Sequence, residues 1–323
     1  MKERYIRDII GGFPYPISSM FMKLRTDECL DPGPLRLKYI FSTGEAIARF
    51  LGMVTLCECR EFLEKAGVAL PTALTNEFSR SFGRPSWGTW VQYGREGSKW
   101  LAANQAEPLM PELEGFYFKK APAESAALQS LGRLLTIRNQ LTHEKLKAML
   151  VVEFKSLCDE TFPLLEEVLE ALDFLLDYTL YFVSGIEVNK RRRRDPDFWH
   201  RYKRITGNSD AFEGDRDTLQ YVMDSKAILL ANTETRRHLS LDPLLVYEEF
   251  KDKPKDIFFF NGLAKPGVAE YAPCNHGKLF TSSESARAED IALELVQLLA
   301  LFKAPDAPNL PSDQPGGGEN HGQ

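Results

Sequence analysis

Within the run LLTIRNQLTHE, Arg138, Asn139 and His143 are side chains suited to breaking a ribose-phosphate link. An RNA strand parts without a metal when a ribose 2′-OH attacks the neighbouring phosphorus. The reaction needs a base for the hydroxyl proton, an acid for the leaving 5′-oxygen and a cation for the crowded phosphorane. Histidine, with a reference pKa of ~6.5, serves either proton role near neutrality. Arginine binds phosphate oxygens through a planar fork of donors and keeps its charge. Arg138 is therefore expected on the scissile phosphate, His143 in acid/base work or on the 2′-OH, and Asn139 orienting either. DNA, lacking that hydroxyl, is expected to resist.

Arg138 follows Leu131, Leu134 and Leu135 by seven, four and three positions. On a helix turning ~100° per residue this puts its guanidinium on the apolar stripe, where a buried charge requires an anion. Asn139 and His143 share an edge one turn apart, but Arg138 and His143 lie five apart and ~140° around the axis. One chain converges them poorly, whereas two copies related by a two-fold axis would present both pairs to one anionic group. A bland reading also fits, in which the Arg and His are merely salt-bridged or solvated.

Arg138-Asn139-Gln140-Leu141-Thr142-His143 resembles the Arg, polar residue, three variable residues, His signature of HEPN domains. The resemblance implies a mainly α fold, with a bundle of four to five helices that dimerises. It also implies, in many members, a composite metal-independent endoribonuclease site, needing no cofactor and regulated as a toxin or antiviral defence effector. Asn139 in the second position resembles the nuclease-competent members. The likeness spans about Arg36 to Gly185 and covers nothing from about Phe198 onward. The alternative it leaves open is a non-enzymatic HEPN-like interaction or nucleotide-binding adaptor.

The main basic cluster reads KRRRRDPDFWHRYKR, with Lys190, Arg191, Arg192, Arg193, Arg194, Arg201, Lys203 and Arg204 beside Trp199 and Tyr202. Cations that neutralise phosphates, with aromatics that stack unpaired bases, make it a candidate RNA guide; a solvated linker is its bland counterpart. The other imidazoles and thiols promise less. Cys274 and His276 have no evident third partner, and His200 and His238 read as core or surface polar contacts. Cys57 and Cys59 lack a second Cys/His pair at zinc spacing and read as helical core. Neither a Walker-type lysine motif nor a dinucleotide fingerprint is present.

These groups have to be positioned by ordinary globular elements. The chain has 323 residues, 43% hydrophobic and 27% charged, with a formal charge of -6, which excludes wholesale disorder and an indiscriminate polycation. Its odd five cysteines and the start MKERYIRDII point to a reducing, cytoplasmic setting. The most apolar stretch, Leu172 to Val183, is too short to span a bilayer and carries Asp173 and Asp177, so no membrane segment is expected.

Apolar spacing predicts helices over 35–63, 86–103, 123–149 and 153–183, the last open to a kink or split at Pro163. The runs KAILLAN, DPLLVYEEF and DIFFFNG read as strands, closed by a helix over 285–302. The resulting division is a helical bundle at 1–187, a basic linker at 188–204 and a smaller α+β domain at 205–302 that senses a trigger or docks a regulatory protein. A disordered tail at 303–323 is rich in Pro and Gly. The expected partners are RNA and a second copy of the chain.

Overall fold

The computed structural model describes residues 2–141, 146, 148–209, 211–212, 214–219, 222–250, 255–275 and 278–302. His143, His276 and the 303–323 tail lie outside them. Among the described residues the front of the chain is helical and the back is α+β. Helices α1 (Glu3–Gly12) and α2 (Tyr15–Lys23) precede the long α3 (Pro34–Ala66). They are followed by α4 (Thr72–Ser81), α5 (Trp87–Ala103), α6 (Glu112–Tyr117), α7 (Ala126–Gln140) and α8 (Val151–Glu170). A small hairpin, β1 (Phe118–Lys120) and β2 (Ala123–Glu124), separates α6 from α7.

Helix α3 starts where its sequence says it should. Pro34 takes the first helical position, and Gly67 (φ 62°) closes the end by donating its N–H to the Leu63 carbonyl at 3.1 Å. It is long and apolar enough by composition to cross a bilayer, and 78% of its most apolar window is buried within the fold. Glycines let α5 come close. A Cβ on Gly52 would stand 2.6 Å from the Trp90 carbonyl oxygen, and one on Gly94 would stand 1.8 Å from the Tyr117 hydroxyl.

The strands form two larger antiparallel sheets. The first has the order β5-β4-β3-β6-β7, from Gly214–Leu219, Asp197–Arg204, Tyr178–Asn189, Ile228–Asn232 and His238–Ser240. The second runs β11-β10-β9-β8, from Phe280–Thr281, Val268–Pro273, Asp256–Lys265 and Leu245–Glu248. Helix α9 (Ala288–Phe302) ends the described chain. The helical and strand-rich parts share one core: Phe82 stacks on Phe260 at 4.6 Å and Phe78 meets Phe302 at 4.7 Å. Backbone bonds cross between them as well, from Tyr15 N–H to Ile205 and from Leu263 N–H to Gly83.

Three sequence expectations are corrected. The helix expected over 123–149 spans Ala126–Gln140: residues 123–124 are strand β2, Ser125 caps the start, and Leu141 turns extended (φ -92°, ψ 98°). The helix expected over 153–183 ends at Glu170; after a 3-10 turn at Asp173–Asp177, residues 178–189 are strand β3. Its apolar run is continuous because both faces are used: Tyr178, Leu180 and Phe182 join the main core, while Val183, with Tyr181 packed beside it, joins a second, smaller cluster. The third correction concerns the linker at 188–204, half of which is strand β4, paired to β3 and β5. Phe198, His200 and Tyr202 alternate there with Trp199, Arg201 and Lys203, a period-two pattern that the surrounding charge obscures.

Candidate nucleic-acid interface

The Arg138 and Asn139 side chains stand at the C-terminal end of α7. Ser125 caps the start of that helix, its Oγ accepting the Leu128 N–H at 3.0 Å. Ala127, Leu128, Leu131, Leu134 and Ile137 bury its inner face. Helix α8 clamps the flank, with Ser130 bonded to Glu167 and Arg133 paired with Glu160 at 2.8 Å. The last turn is thus held on a fixed support.

Arg138 itself is exposed, against the expectation that it faces the packed side. Ile137 takes the inward position in the final turn, and the helix ends at Gln140. An exposed charge is hydrated, and the requirement for a buried anion lapses. Arg138 Nη1 donates to Asn139 Oδ1 at 3.1 Å, and both side chains face solvent. His143 lies outside the described residues, so the geometry of the third group is not part of this site.

The basic cluster divides into three. Lys190 and Arg191 to Arg194 occupy the exposed turn between β3 and β4, where Lys190 Nζ donates to the Arg194 carbonyl at 2.8 Å. Arg201 and Lys203 lie on one sheet face and are already matched by carboxylates: Arg201 pairs with Glu187 at 3.3 Å, and Lys203 pairs with Glu249. The Lys203 ammonium and the Tyr247 hydroxyl together hold the Glu249 carboxyl below its ordinary range. On that face Arg216 also covers the Trp199 ring at 4.0 Å and reaches Glu187 at 3.4 Å. Arg204 points to the other face. The eight cations are therefore not one continuous guide.

That other face carries a feature that no sequence motif announces, a cavity of about 430 Å³ lined by Tyr181, Tyr202, Arg204, Asp215, Arg236 and His238, among others. Strand register creates it, setting Tyr181 across from Arg204 and Tyr202 across from Asp215. Tyr181 and Tyr202 lie 5.5 Å apart, and His200 stacks on Tyr202 at 6.0 Å. His200 is a buried structural residue whose Nε2 accepts the Met223 N–H at 3.1 Å, leaving Nδ1 facing the Phe198 carbonyl. Half-burial pushes the His238 imidazole below its usual pKa, favouring its neutral form. Only the alternation of Tyr181 with Val183 and of Tyr202 with Arg204 hinted at such a face, and it means nothing until the strands are paired.

The thiols are inert by placement. All five cysteines are free and buried; burial raises the Cys57 thiol to about 12 and pushes those of Cys59 and Cys274 well above the ordinary thiol range. Cys274 is thus no nucleophile at neutral pH. Among the described residues no group of three or more His, Cys, Asp or Glu is placed to hold a metal. Comparison with family models, curated proteins and solved structures returned no match.

Proposed function

We propose that this chain is an endoribonuclease of the HEPN type, cutting RNA through 2′-OH attack at a composite site in a homodimer. One observation carries the reading: Arg138 and Asn139 project together into solvent from the end of a helix whose other side is fixed in the core. A second copy packed on that end would bring two guanidiniums to one phosphate, with His143 of each chain supplying the proton transfers. The Lys190 to Arg194 turn adds sequence-independent phosphate contacts that draw the strand in. Free, buried cysteines suit the cytoplasm, where we place the protein as a regulated toxin or antiviral effector answering to a partner protein.

The test is incubation of the full-length protein with labelled RNA in EDTA, beside the same strand carrying 2′-deoxyribose at the cut sites. Cutting of the first alone supports the reading, and cutting of both refutes it. A second reading, a non-enzymatic interaction adaptor, is favoured by the position of Arg138 in the last turn of α7, where a cation offsets the helix dipole. Under that reading Arg138→Ala alters assembly or helix stability, and no RNA product forms with either protein.

A further inference from the structure

The cavity on the open face of the five-stranded sheet has a chemistry of its own. Its floor is aromatic and apolar: Tyr181 is half-buried, and Tyr202 and Leu229 belong to the small cluster beneath it. Its volume of about 430 Å³ falls within the ~300–1,000 Å³ of small-molecule sites. Charge is distributed unevenly along it. Arg204 ends β4 and Arg236 sits in the turn after β6, whereas Asp215 and Asp217 line the outer strand β5, alongside Tyr202 and His200.

Both arginines are available. Among the described residues neither Arg204 nor Arg236 has an ion pair, in contrast to Arg201 and Arg216 on the opposite face. The turn that presents Arg236 is built firmly. Asn232 Oδ1 accepts the N–H groups of Glu234 at 3.1 Å and Thr235 at 2.8 Å, and Arg236 is held at φ 57°. A left-handed conformation at a residue other than glycine is costly and persists where surrounding structure imposes it.

We propose that this cavity binds a nucleotide, with the base stacked on Tyr181 against the edge of Tyr202 and the phosphate held by Arg204 and Arg236. Aromatic rings on a sheet face are a sequence-tolerant platform for a base, and paired guanidiniums match phosphate oxygens. The carboxylates then set the polarity of binding. Asp215 accepts the Arg216 N–H on one oxygen at 2.7 Å; its exposed carboxylate would accept from an exocyclic amine or a ribose hydroxyl and repel phosphate. The site does not depend on the cleavage chemistry at Arg138.

Calorimetric titration of the full-length protein with AMP, adenosine and an oligoadenylate hexamer tests it. AMP is expected to bind at least tenfold more tightly than adenosine. Arg204→Gln, Arg236→Gly and Tyr181→Leu, all at solvent-accessible positions, are each expected to weaken binding about tenfold while leaving the melting temperature close to that of the parent. Glycine at 236 also relieves the backbone. Binding of AMP but not the hexamer identifies a free nucleotide, and binding of the hexamer but not AMP identifies a strand; each upholds the site. No binding of either at millimolar concentration, equal affinity for AMP and adenosine, or variants with unchanged affinity would overturn it.

Discussion

Exposure makes Arg138 a clean reporter, because among the described residues its side chain contributes one hydrogen bond, to Asn139. Arg138→Ala is expected to leave stability within ~0.5 kcal/mol and to lower RNA cleavage at least a hundredfold, read by melting and by initial rates. Glu58 is the opposite kind of residue. Burial pushes its carboxyl up to about 7, even though its Oε1 accepts the Met110 N–H at 3.1 Å. The fold thus favours its protonated form, so stability from this group is full below the ordinary carboxylate pKa and is lost as pH rises through about 7. Glu58→Gln should flatten that fall and stabilise the protein by on the order of 2 kcal/mol at pH 8 in denaturant titrations. Residue chemistry is legible in the sequence where burial is the whole question, as for His200, Cys57 and Cys59. It misleads at Arg138, because angular position on a helix does not say where the helix ends or whether a neighbour reaches that turn.

Helices are legible where apolar residues recur at helical spacing, even in α3, whose middle is buried all round. Expected at 35–63, 86–103 and 285–302, they occupy Pro34–Ala66, Trp87–Ala103 and Ala288–Phe302. Three strands are also visible as short apolar runs, corresponding to β6, β8 and β9. The failures share a cause: in β3 both faces are apolar, and in β4 charge hides the alternation, so neither shows a period that sequence alone can assign. The close approach of α3 and α5 is equally illegible, since nothing local marks which glycines meet another helix. Gly52→Ala is expected to cost about 1–3 kcal/mol, because the added methyl would meet the rigid Trp90 backbone rather than a mobile side chain. Equal unfolding midpoints for the variant and its parent would show that α5 moves away without cost.

At the scale of the molecule, a shared core binds the helical front to the sheets, and polar links reinforce it. Arg60 of α3 donates to the Asp242 carbonyl at 2.7 Å and pairs with Glu294 of α9 at 3.2 Å, and Arg287 pairs with Asp242. The basic turn is expected to act by charge alone. Replacing Arg191 to Arg194 with glutamine should reduce the slope of log affinity against log salt for single-stranded RNA by up to ~3, about 0.7 for each phosphate no longer neutralised. An unchanged slope would remove that turn from the RNA path. Symmetry gives a further expectation. If each site draws on both chains, activity per chain should fall on dilution through the dimer dissociation range.

The most direct measurement is the chemical identity of the cut ends. Mass spectrometry of RNA treated in EDTA should find 2′,3′-cyclic phosphate termini with the parent protein and a loss of at least a hundredfold in those termini with Arg138→Ala, its fold and oligomeric state matching the parent's. Intact RNA with the parent protein, or the same termini at the same rate from the variant, would contradict the account.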